Sequence, residues 1–300
     1  MNRSQHETQT YSKAEPFEAR LDALPAHPRF EEAMRYSVRA ALDYFHENPV
    51  LHRNIKDVGR LILGVVALSM DATGGLTHRR LRALSGRTGV ISAGTATAVL
   101  FRMRTIGYVT RDEAGGGGLA RRYRPTPDMT QAFRERMQIE LDAAAILFPH
   151  VAPVRDRFGE PDMFRAVFKV LGEESIKAAR DPRGDLDALN RLGTRSAGVL
   201  VLYDLLNAAD VAGGGRGPLG APIELEVSVS ALARKYEISR SHVLSLLRDL
   251  EAADFIARVG REGRWALRPA LRPTLETFFG VIYLGMAHVA LEAARDVGLG

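Results

Sequence analysis

Two stretches of this sequence can be laid over one another at a constant offset of 147 residues. In that register Tyr108 and Val109 fall on Phe255 and Ile256, Met103 on Leu250, Leu100 on Leu247, and Ala96 on Val243. A chain that repeats an apolar pattern must build the same supersecondary unit twice, which removes most other architectures. Carrying the match back to Leu81 and Leu232 requires four extra residues in the first copy, where "SGRTGVISAG" replaces "YEIS". Past the matched stretches, "RPTPDMTQAF" from Arg124 and "RPTLETFF" from Arg272 recur at nearly the same separation, as in a diverged tandem duplication.

Local rules order the elements of each copy. In the second, Ser230 is a candidate N-cap for a short helix to Tyr236, Glu237 and Ile238 form a tight turn, and Ser239 caps a helix to about Ala253. The β-branched run "DFIARV", the turn "GREG" and the return "RWALRP" predict a hairpin ended by proline. The first copy offers helices over 77–84 and 92–105, the strand "YVTR", the turn "DEAGGGG" and the strand "ARRYRP". An upstream helix, 58–70 in one copy and 197–209 in the other, completes three helices each, and "DVAGGGRGPLGAP" is a loop leading to the strand of the second.

Through "ALARKYEISRSHVLSLLRDLEAADFIARVGREGRW" the second copy resembles the winged helix-turn-helix domain of MarR-like bacterial transcription regulators, and the first copy is similar to it. The Asp-x-Arg signature common in MarR wings is absent, since Arg258 leads directly into Val259, Gly260 and Arg261. The resemblance implies a mainly α protein with two winged helix-turn-helix domains, each of three helices plus a small β-hairpin wing, joined by helical connecting segments. It also implies a sequence-selective, double-stranded DNA-binding transcription regulator. A plasmid-type replication initiator, which also joins two winged helices, and a protein-interaction adaptor are the alternatives.

Charge distribution points the same way. Residues 76–124 hold ten arginines against Asp112 and Glu113, and residues 228–272 hold nine basic against five acidic residues. The net charge of the chain is only +5, so the remainder is acidic, as in a binder of polyanions. At about 100° per residue, Val243, Leu246, Leu247 and Leu250 share one helix face, and Ser241, Ser245, Arg248 and Ala252 share the opposite one. Arginine can bond guanine through two hydrogen bonds, and serine can serve base edges or phosphates. Ser239 and Arg240 stand at the helix N-terminus, where free amides favour a phosphate. Arg261 and Arg264 of the hairpin suit the flanking backbone or minor groove. In the first copy Arg87, Thr95, Arg102, Arg121 and Arg122 are the corresponding candidates, fitted more to phosphates than to base edges.

Other chemistries find little support. There is no cysteine, which excludes disulfides, thiolate zinc sites and cysteine nucleophiles. The eight histidines show no His-x-x-x-His spacing, and "GGGG" at 115–118 is not followed by Gly-Lys-Ser/Thr. No enzyme, metal or cofactor is expected. Residues 1–27 contain no apolar segment of the kind a secretory signal needs, and the longest uncharged run, 277–291, falls short of the roughly 20 residues of a membrane-spanning helix. The expectation is a cytoplasmic protein with no membrane partner. Its expected layout is a flexible arm over 1–27, an N-terminal helix and the first winged helix domain over 28–125, a helical connector over 126–194, the second winged helix domain over 195–272, and an apolar helix over 273–300. The helix over 30–48 is amphipathic, and the connector carries the stripe Phe164, Val167, Phe168 and Leu171. Phe278, Phe279, Ile282, Tyr283, Met286 and Leu291 surround the last helix, and this apolar surplus makes a homodimer the expected assembly.

Overall fold

The computed structural model describes residues 15–299 except 56, 89–92, 114–117, 119–120, 181–182 and 261–262. Helices α1 (Phe17–Ala23), α2 (Phe30–Glu47) and α3 (Pro49–Asn54) lead into the first repeat. That repeat comprises α4 (Val58–Ala72), β1 (Leu76–Thr77), α5 (His78–Thr88), α6 (Ala93–Thr105), β2 (Val109–Arg111) and β3 (Arg122–Pro125). Helices α7 (Pro127–Leu147), α8 (Ala152–Arg157), α9 (Pro161–Arg180) and α10 (Asp187–Gly193) connect it to the second. There α11 (Gly198–Ala212), β4 (Glu224–Glu226), α12 (Val229–Lys235), α13 (Arg240–Ala252), β5 (Ile256–Arg258) and β6 (Arg264–Leu267) repeat the order, and α14 (Leu271–Asp296) follows. The chain is mainly helical, with two small antiparallel sheets among the described residues.

The two repeats agree in detail. Helices α6 and α13 are both 13 residues long, and they and the strands β2 and β5 coincide at the offset read from the sequence. Each expected hairpin is joined by a third strand, giving the orders β1-β3-β2 and β4-β6-β5. Tyr123 lies between Leu76 and Arg111 in one sheet, as Trp265 lies between Leu225 and Arg258 in the other. The four extra residues of the first copy lengthen a helix: α5 has 11 residues where α12 has 7.

Several expectations need correction. The cap of α12 is Ser228, whose hydroxyl accepts from the Ala231 amide at 3.2 Å, while Ser230 lies inside the helix. Val227 is still tied to the sheet through Gly263, so Ser228 is the first residue free to turn. The recurring "RPT" does not mark equivalent places. The Thr126 amide bonds Tyr108 and the Arg268 amide bonds Phe255, both at 2.9 Å, which pairs Thr126 with Arg268, whereas Thr274 lies within α14. The stretch expected as a flexible arm folds from Phe17 as α1 and a 3-10 turn over Leu24–Ala26. Leu21 and Leu24 are buried there, and Gly280 of α14 lacks the side chain that Leu21 would otherwise meet.

The leading helices cross between the repeats. Helix α2 packs on α11 of the second repeat, and α9, which precedes the second repeat, packs on α4 of the first. Gly172 on α9 makes the second crossing close, because a Cβ there would run into Ser69 of α4. The first crossing carries a polar clamp: Arg35 and Arg39 of α2 hold the buried Asp210 of α11 at 2.9 and 2.5 Å. Helix α14 serves both cores, with Leu271 to Leu284 in one and Met286 to Ala293 in the other. It runs for 26 residues, well beyond the uncharged run, and is long and apolar enough to cross a membrane by length and composition, with half of its most apolar window buried inside the protein. Tyr283 is fully buried within the chain, its hydroxyl 3.0 Å from Ser37 Oγ and its ring stacked on Phe279. Met286 is buried as well, which leaves Phe278, Val281, Ile282 and Leu291 half-covered.

Candidate nucleic-acid interface

The second repeat presents α13 through a sharp turn. Glu237 adopts a left-handed φ of 49° between α12 and α13, and Ser239 then caps α13, accepting from the His242 amide at 3.1 Å. Val243, Leu246, Leu247 and Leu250 are buried, so the opposite face is turned outward. Arg240, Ser241 and Arg248 are exposed there, and neither arginine makes an ion pair among the described residues. Arg248 has no neighbouring acid to hold it, because Asp249 pairs with Arg195 and Glu251 lies 3.7 Å from Arg258.

Ser245 differs from its neighbours. It is half-buried and its hydroxyl accepts from Arg195 Nη2 at 3.0 Å, so its hydrogen-bonding is engaged within the protein. His242, on the same helix, has its ring nitrogen 2.9 Å from the Ser196 carbonyl, a structural contact rather than a free edge. In the sheet, Arg264 is exposed and lies 3.8 Å from Glu224. Arg258, which sequence reasoning did not single out, stands over the Trp265 ring at 5.1 Å. Arg261 lies outside the described residues.

The first repeat offers a different surface. Arg102 is exposed, but its Nε donates to Asn54 of α3 at 2.6 Å. Arg122 donates to the Gly74 carbonyl at 2.9 Å, and Arg121 is half-buried with its Nε unpartnered among the described residues. The side chains of Arg87 and Thr95 lie outside what the structure describes. The exposed Arg104 stands over the Tyr123 ring at 5.9 Å, whereas Arg79 and Arg111, neither a sequence candidate, are exposed here with no side-chain hydrogen bond, ion pair or ring contact among the described residues. Their signal lies in the absence of a nearby acid in space, which spacing along the chain does not reveal. The outer face of α6 also carries Phe101, 67% exposed, so it is less polar than that of α13.

The structure therefore places Ser239, Arg240 and Ser241 at the N-terminal end of α13 and Arg248 about two turns further along, on the face of Ser241. It sets Ser245, Arg102 and Arg122 in internal hydrogen bonds. Among the described residues no group of three or more His, Asp or Glu could hold a metal ion. Comparison with protein-family models, with curated proteins and with solved structures finds no match to this chain.

Proposed function

We propose that the chain binds double-stranded DNA through two winged helix-turn-helix units of MarR-like type and acts as a sequence-selective, cytoplasmic transcription regulator without enzymatic activity. The observation that carries this reading is the outer face of α13, where unpaired Arg240 and Arg248 flank Ser241 above a fully buried inner face. The element order of each repeat, helix, strand, two helices and two further strands, supports it. An α-helix fits the major groove of B-DNA, and arginine is its commonest reader of guanine. The first repeat contributes phosphate contacts from Arg79 and Arg111.

A plasmid-type replication initiator is the second reading, favoured by the crossed helices that join two unlike units in one chain. Mapping bound sites across a genome separates it, since an initiator occupies one origin and a regulator occupies promoters. The expected homodimer gains no separate apolar face from α14, because the half-covered Phe278, Val281 and Ile282 line a hollow between the helices of the chain itself. The base-reading claim is tested by substitution. Arg248→Ala should weaken the preferred site by about 1–3 kcal/mol and leave random duplex almost unaffected, whereas Arg111→Ala should weaken both alike. Equal behaviour of the two variants would assign base readout to the wrong helix.

A further inference from the structure

A cavity of about 580 Å³ lies where the two repeats meet, within the 300–1,000 Å³ range usual for small-molecule sites. Its wall is contributed by six of the longer helices and is almost wholly apolar, with Leu61, Met137, Leu171, Val199, Val281 and Gly285 among its residues. At Gly280 the interior is closely filled, the missing side chain being replaced by Leu21. Gly285, on the same helix, is the reverse case: a Cβ there would meet nothing within 4 Å. Glycine in a helix interior is unfavourable, and here its absent side chain leaves the hollow open. Phe17 and Val58, 37% and 39% exposed, also belong to its wall and give it an apolar edge at the surface.

One charged pair of the wall is buried. Arg136 and Glu140, one turn apart on α7, are 9% and 6% exposed and pair through Nη1 and Oε1 at 2.7 Å. Arg136 Nε and Glu140 Oε2 have no hydrogen-bond partner among the described residues, although buried polar atoms are almost always satisfied. The other charged groups of the wall are engaged elsewhere, Asp57 with Arg60, Glu174 with Lys177 and Arg195 with Asp249. Because the buried pair is neutral as a unit, it disfavours a charged guest and suits a neutral group that both donates and accepts.

We propose that this cavity binds a small, largely apolar molecule bearing one neutral polar head, an alcohol or an amide, with the head at the Arg136–Glu140 pair. The site stands on its own geometry and does not rest on the DNA reading. The hollow is concave and built from both repeats, which suits a small guest rather than a flat protein partner.

The test uses the full chain, the fluorescent neutral amine N-phenyl-1-naphthylamine as probe, and decan-1-ol and decanoate as competitors. The expected result is saturable binding of one probe per chain, displaced at least ten-fold better by decan-1-ol than by decanoate. Gly285→Phe should fill the hollow and weaken probe binding at least ten-fold in a protein that melts no lower. Should that variant misfold, Leu171→Trp makes the same test from α9. Glu140→Gln, which leaves the arginine charge unmatched, should turn the preference toward decanoate. Absence of saturable binding, unchanged binding in the filled variant, or an unchanged competitor order in Glu140→Gln would each overturn the proposal.

Discussion

Asp254 shows how one residue carries the repeat. It holds a left-handed φ of 57° just past the end of α13, at the place where the first repeat has Gly107 with φ 77°. L-residues adopt that conformation at a penalty that glycine escapes. Asp254→Gly should therefore stabilise the protein by about 1 kcal/mol in chemical denaturation, less whatever its exposed ion pair with Arg268 contributes. His150 makes a second residue-scale case. Burial holds its imidazole below the ordinary value, against a smaller opposing effect of the Ala287 backbone. As pH falls through the ordinary histidine value near 6.5, the unfolded chain takes up a proton at this residue that the folded chain does not, so the contribution of His150 to stability falls. Unfolding free energies measured between pH 7.5 and 5 should show that decline, and His150→Gln should make it shallower; an unchanged slope would locate the titrating group elsewhere. Some residue roles were legible in the sequence and others were not. The cap at Ser239 was readable because capping is local, whereas the Arg195 contact to Ser245 joins residues 50 apart and leaves no local trace.

At the scale of elements, the helices of both repeats were readable to within a few residues, since each buries a stripe with helical period. The short strands were less so: β1 has 2 residues, too few to show alternation, and exists because β3 pairs with it. What each helix packs against was not readable at all, because amphipathicity says that a face is covered and not by what. The crossing of α4 and α9 is the clearest example. It depends on Gly172 resting against Ser69, and Gly172→Ala should push these helices apart and destabilise by about 1–3 kcal/mol. The urea midpoint should fall with an unchanged slope. A neutral result would mean that the two helices are not held at this distance.

The whole molecule joins two unlike units through exchanged helices and a shared α14. The sequence indicated two units but placed the helix over 30–48 with the first of them, and its packing on α11 ties the units together. The proposed DNA-binding reading takes the basic surfaces of both units, which this packing holds within one chain, as contacts to a single duplex. Arg79, Arg111, Arg240 and Arg248 are among the exposed arginines that make no ion pair among the described residues, and the proposed function assigns these four to phosphates or bases. Each phosphate neutralised releases condensed counterions, so affinity should fall with salt at a slope near −0.9 per contact. The most direct measurement is equilibrium binding of the full chain to duplex DNA across a salt series. The account predicts a double-logarithmic slope of about −3 to −4 or steeper. A flat dependence, or no binding to duplex at low salt, would contradict it and favour a protein-interaction adaptor.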